Sequence, residues 1–136
     1  MIPVLRFKPQ VTIVPSPGGA RILSVCDQAT GVLGRDITIT AGSNGHTVGK
    51  HPVGEAFDLS VAGLQSYEVR KLVVYLKGTL GPLFYVQYEV RTEPTEADLL
   101  DIATVNPHAS APHVHVQVRK GTTFPPIDAP ETGVPV

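Results

Sequence analysis

At 136 residues the chain has the size of one domain, long enough for a continuous core and too short for two. Its 11 Lys and Arg against 12 Asp and Glu leave a formal net charge of -1 with no basic stripe, which argues against nucleic acid or an anionic membrane surface held by bulk charge. The single cysteine, Cys26, excludes an intrachain disulfide and reads as a small buried residue, and no apolar stretch approaches the length of a membrane span.

Met1 to Pro9 lacks an uninterrupted apolar core of signal-peptide length, so the product is expected to be soluble and made in the cytoplasm. Residues 1–19 carry Pro3, Pro9, Pro15, Pro17, Gly18 and Gly19 and read as an N-terminal arm, with Val11–Val14 as an edge strand. From Ala20 to about Leu33, Ile22, Val25, Cys26, Ala29 and Leu33 recur at helical spacing and stop at Gly34. Asp36–Thr40 alternates like a strand and leads into a loop bearing His51 and Asp58. Ser66 is the expected N-cap of a second helix running to about Lys77, and Leu83–Val90 reads as a buried strand. Thr95–Ala103 suggests a short helix, capped by Thr95 with Asp98 at the capping-box position. His113–Arg119 forms the last strand, and residues 121–136 form a proline-rich tail with too little apolar surface to extend the sheet.

The chemistry follows from where these elements put side chains. Residues two apart on a strand share a face, so Val114, Val116 and Val118 take the core while His113, His115 and Gln117 line the opposite side. Imidazoles on such a face are costly to bury without partners, and a metal ion is a natural one. Gly54 allows a tight turn between His51 and Asp58, and the small Ala56 lets both ends converge. A catalytic zinc site commonly takes three His or Asp/Glu ligands and leaves a fourth position to water, a requirement that His51, Asp58 and His115 meet with Zn2+ as the expected cofactor.

These residues resemble the LAS metallopeptidases, the group of lysostaphin, the D-alanyl-D-alanine metallopeptidases and sonic hedgehog. The first motif of that family, Ser-x-His-x-x-Gly-x-Ala-x-Asp, is matched over residues 49–58 at His51, Gly54, Ala56 and Asp58, with Gly49 in place of the serine. The second, His-x-His on a central strand, is matched by His113 and His115, and the resemblance makes His115 the zinc ligand of the pair. Ile37–Ser43 is similar to the family's strand and following turn, and the likeness covers roughly residues 20–120 as a zinc peptidase-like domain. It implies zinc-dependent hydrolysis of peptide bonds in peptidoglycan, by an enzyme of phage or bacterial origin that is released or carried on a virion.

Two positions depart from the family pattern. Zinc hydrolysis of an amide needs a base, and many relatives place a carboxylate three residues before the last ligand, where this chain has Pro112. His113 is the catalytic candidate in its stead, with two roles open: general base, or a hydrogen-bonding support that orients the site. His108 is a loop residue that can swing in. Relatives also carry an arginine after the first strand to hold a substrate carboxylate; Ser43-Asn44-Gly45-His46 stands there instead, so Ser43, His46 and the more distant Arg35 are the substrate-binding candidates and an internal bond is the favoured target. Ordinary structural roles compete for several residues: His46 as a solvated side chain, Tyr85 and Tyr88 as sheet residues, Glu55 as surface charge, and Glu89 either as a strand end or as a group facing the cleft. The expected architecture is α+β, a small antiparallel sheet with helices packed on one side and the zinc cleft on the other. A zinc-stabilised structural or binding domain without catalysis is the first alternative, and a metal-free module binding a cyclic peptide or small molecule through the His-x-His face is the second.

Overall fold

Helix α1 spans Pro17–Leu33 because both of its ends carry local signals. Ser16 is extended at the N-cap and its Oγ accepts the Gly19 N–H at 2.9 Å, Pro17 follows at the start, and Gly34 closes the helix at φ 66°. The helix thus starts before Ala20, since the cap and the proline set its origin rather than the first apolar residue. Helix α2 spans Ser66–Leu80, with Gln65 and not Ser66 at the N-cap, where the Gln65 N–H donates to Glu68 Oε1 at 2.9 Å. It runs past Lys77 until Gly81, at φ 81°, ends it. The computed structural model describes residues 2–43, 50–51 and 53–124. Among them, no helix is long and apolar enough to cross a membrane.

Six strands form one sheet: β1 (Leu5–Phe7), β2 (Ile37–Ala41), β3 (Ala56–Ser60), β4 (Phe84–Val90), β5 (Ala103–Val105) and β6 (His113–Val118), in the order β1-β2-β3-β6-β4-β5. A one-turn helix, α3 (Ala97–Leu100), precedes β5. The class is α+β as expected, but the sheet is mixed. Its four central strands are antiparallel to one another, whereas the edge pairs β1–β2 and β4–β5 are parallel. Parallel neighbours need a crossover, and α1 and α3 lie on those two connections.

Three expectations about elements are corrected. Val11–Val14 is not a strand; the edge is Leu5–Phe7, while the later segment is pinned by Ser43, whose N–H and Oγ–H both donate to the Thr12 carbonyl and whose Oγ accepts the Val14 N–H. Asp58 lies on a strand and not in the loop after β2, because Phe57 and Leu59 on either side of it are fully buried. Thr95–Ala103 is helical only over Ala97–Leu100, with Glu96 at the N-cap instead of Thr95, and Ala103 leaves it to begin β5. The expectation for the tail falls mostly on residues 125–136, outside the described residues.

The core lies between the two long helices and one face of the sheet. Ile22, Val25, Cys26 and Ala29 of α1 and Leu72, Val73 and Leu76 of α2 meet Ile37, Ile39, Phe57, Leu59, Val114, Val116 and Val118, all buried. Burying one such side chain is worth about 1.5–3 kcal/mol, so this layer fixes the sheet and with it the opposite face. The same apolar surroundings push the Cys26 thiol up to about 12, as suits a packing residue. The other face of β3, β4 and β6 is left to Asp58, Gln87, Glu89, His113, His115 and Gln117, each partly exposed.

Candidate metal centre

Strand pairing brings the first two candidate ligands together. β3 runs antiparallel to β6 with Asp58 opposite His115 and Ser60 opposite His113, so the carboxylate and both imidazoles share the face away from the helices. The third candidate ligand, His51, comes from the turn before β3. That turn is closed by the Glu55 N–H to the Lys50 carbonyl at 2.9 Å and by the Lys50–Glu55 ion pair at 3.1 Å. Its glycine is obligatory: Gly54 sits at φ 77°, and a Cβ there would collide with the Val14 carbonyl oxygen. The Gly54 carbonyl in turn accepts the Ser16 Oγ–H at 2.8 Å, fastening the turn to the N-terminus of α1.

His51, Asp58 and His115 offer ligand atoms that all lie within 4.8 Å of one another. His115 Nδ1 is 2.9 Å from Asp58 Oδ1 and His51 Nε2 is 3.6 Å from the same oxygen. The outer nitrogens are engaged elsewhere. His51 Nδ1 is 2.8 Å from the Gly42 carbonyl, which can only accept, so that nitrogen carries the hydrogen. Gln117 Nε2 donates to the Val118 carbonyl, which turns its Oε1 toward His115 Nε2 at 2.7 Å. Both rings therefore direct their inner nitrogens at the carboxylate, the arrangement in which a partner on the far nitrogen fixes the tautomer of a metal-binding histidine.

Two ring nitrogens and a carboxylate oxygen converging on one point could hold a cation between them. Without one, burial disfavours charge on Asp58, but hydrogen bonds from His115 and His51 outweigh it and hold the carboxyl well below its usual range. Burial likewise disfavours a charged His115, yet its bonds to Asp58 and Gln117 raise its affinity for a proton overall. The pair thus stabilises positive charge on the imidazole side. A His-Asp-His set at these separations can hold a metal ion, and nitrogen and carboxylate donors suit zinc among others.

His113 lies beside this set. Its Nε2 is 3.8 Å from Asp58 Oδ1 and 2.8 Å from Glu89 Oε1, and its Nδ1 is 3.0 Å from the Ala111 carbonyl. Glu89 stands opposite it on β4. Pro112, exposed, precedes β6 and brings no polar side chain to the cluster. Next to Gln117 a cavity of about 620 Å³ opens, lined by Lys50, Val53, Glu55, Gln117 and Lys120.

The remaining sequence candidates are not assembled here. Ser43 is occupied with Thr12 and Val14, next to Gly42 whose carbonyl holds His51. The Arg35 guanidinium is held by Glu68 at 3.3 Å and by the Gly63 carbonyl at 2.6 Å, before the start of β2 and away from the end that reaches His51. His46 lies outside the described residues. The His108 backbone N–H donates to Asn106 Oδ1 at 3.0 Å in its own loop. Two supporting groups escape a reading of the sequence: the Gly42 carbonyl, which any residue type would supply, and Gln117 as the His115 partner, whose position two residues away on one face was its only signal. No protein-family model matches the chain, no curated protein is detectably similar to it, and no solved structure matches it.

Proposed function

We propose that the chain is a zinc-dependent peptidase of the LAS type acting on the peptide part of peptidoglycan. The observation that carries this reading is the convergence of His51 Nε2, Asp58 Oδ1 and His115 Nδ1 with both outer ring nitrogens already hydrogen-bonded. His51, Asp58 and His115 would hold the ion, which when bound supplies a Lewis acid and a water of lowered pKa. Beside that set His113 Nε2 is 3.8 Å from Asp58 Oδ1 and 2.8 Å from Glu89 Oε1, and this imidazole–carboxylate pair, whose carboxylate can accept a hydrogen, would be the group that takes a proton from the attacking water and returns it to the leaving amine. The cavity lined by Lys50, Val53, Glu55, Gln117 and Lys120, next to the side chain that holds His115 Nε2, would give an extended peptide room near these residues. Arg35 is committed to Glu68 and Gly63, so a clamp for a terminal carboxylate is not supplied by that residue, which favours an internal bond as the target.

The test is metal content of the purified protein together with release of fragments from bacterial walls. One zinc per chain and turbidity loss that a chelator abolishes are expected, and His115→Ala should lose both. Stoichiometric zinc in His115→Ala would remove the basis of the ligand assignment. Pro112 supports a second reading, a zinc-stabilised domain without catalysis. Full zinc occupancy with no release from any wall chemotype at neutral pH would decide for it.

A further inference from the structure

We propose that Arg119, just past the end of β6, receives a carboxylate of the peptide substrate, about four residues along an extended chain from the bond at the centre. This rests on the peptidase reading and extends it to side chains outside both motifs. A cavity of about 470 Å³ is lined in part by Gln87, Tyr85 and Arg119. Gln87 is the cross-strand neighbour of His115 and Tyr85 that of Gln117, so the cavity borders the face that carries the candidate ligands. Arg119 prolongs the same ladder, its N–H donating to the Leu83 carbonyl at 2.9 Å. At roughly 3.3 Å per residue, the step from His115 to Arg119 covers roughly 13 Å, which an extended peptide spans with about four residues of its own.

The guanidinium is held in place before any ligand arrives. Its Nε–H donates to the Pro82 carbonyl at 2.8 Å, and its central carbon lies 5.2 Å from the centre of the Tyr85 ring, so one edge is tied and one plane is supported. Among the described residues no carboxylate pairs with it, which leaves both Nη groups to a ligand. Lys77 of α2 lines the same cavity and brings a second positive charge. Lys50, on the other side of Gln117, is by contrast paired with Glu55. A planar fork matches the two oxygens of a carboxylate, and a fork already fixed loses little freedom on binding. The acids of a peptide are carboxylates, on side chains or at the chain end, and these are the groups the fork would take.

The experiment titrates three synthetic peptidoglycan stem peptides into the full chain, with and without Zn2+, by isothermal calorimetry. One peptide keeps a single side-chain carboxylate, one keeps only its C-terminal carboxylate, and in the third both are amidated. A carboxylate peptide should bind wild type about tenfold more tightly than the amidated one, the worth of a hydrogen bond to a charged group. Arg119→Ala should abolish that preference, and Arg119→Lys should keep only part of it, because an ammonium lacks the fork. Circular dichroism and zinc stoichiometry of both variants should match wild type, since Arg119 is exposed and is not among the converging ligand atoms. On a cleavable carboxylate peptide the loss in Arg119→Ala should appear as about a tenfold rise in KM. Preference for the side-chain or for the terminal carboxylate identifies the acid that Arg119 takes. Equal binding of all three peptides by wild type, absence of binding included, or a preference unchanged in Arg119→Ala, would overturn the proposal. If wild type keeps the preference and cleaves nothing, the peptidase reading falls while Arg119 stands as the carboxylate site of a binding domain.

Discussion

The His115 ring, one of the three groups that could hold an ion, is oriented by a side chain outside that set. Its Nε2 hydrogen bond to Gln117 leaves Nδ1 as the inner donor, so Gln117→Ala should weaken zinc binding by roughly ten- to a hundredfold while leaving the stoichiometry at saturation unchanged. Isothermal titration with Zn2+ would measure this, and an affinity equal to wild type would show that the amide does not govern the ring. The three converging residues were readable in the chain because ligands must be particular residue types at particular spacings, and His51, Asp58 and His115 met that demand without any knowledge of the fold. The partners around them were less readable. A backbone carbonyl such as that of Gly42 leaves no mark on composition, and the meeting of Glu89 with His113 depends on a register between β4 and β6 that local patterns do not encode.

The edge strand β1 is held by side-chain chemistry as well as by its ladder to β2. Asp36 accepts the Val4 N–H at 2.8 Å and pairs with Arg6 at 2.8 Å, and these contacts, the backbone bond foremost, lower its carboxyl from the ordinary 3.8. A depressed carboxyl contributes stability that is present above the unfolded value and is lost as pH falls through the folded one. Amide exchange of Leu5–Phe7 should therefore accelerate relative to the core strands below about pH 4, and Asp36→Asn should reproduce the effect at neutral pH. Equal protection in wild type and Asp36→Asn at pH 7 would contradict this account. The central elements were legible because α1, α2, β2, β4 and β6 carry long periodic patterns. The shorter ones were not: β1 and β5 have three residues each and owe their existence to a neighbour's free edge, and the alternation of Phe57 and Leu59 around Asp58 was overshadowed by the turn before it.

Across the whole molecule, core and centre occupy opposite faces of one sheet, so the fold does not depend on an ion in the way that a zinc finger does. Chelation should leave the far-ultraviolet circular dichroism unchanged and lower the melting temperature. The expected loss is about 2.7 kcal/mol relative to protein holding zinc at a hundredfold excess over its Kd. Collapse of the helical signal on adding chelator would mean that the ion organises the core as well. Helices on one side and a polar face on the other were foreseeable from the valine and histidine alternation of β6, whereas the parallel edges depend on crossovers that only the assembled chain reveals. The stretch from Thr12 to Ser16 gives this layout a mechanical consequence. It grips Ser43 at the exit of β2 and Gly54 just ahead of β3, and so works as a latch across both ends of the segment that presents His51. Lifting that latch, by proteolysis or by tension on the arm, would slacken the one member of the His51, Asp58 and His115 set that no strand carries, and the affinity for any ion held there would gauge whether the arm is seated.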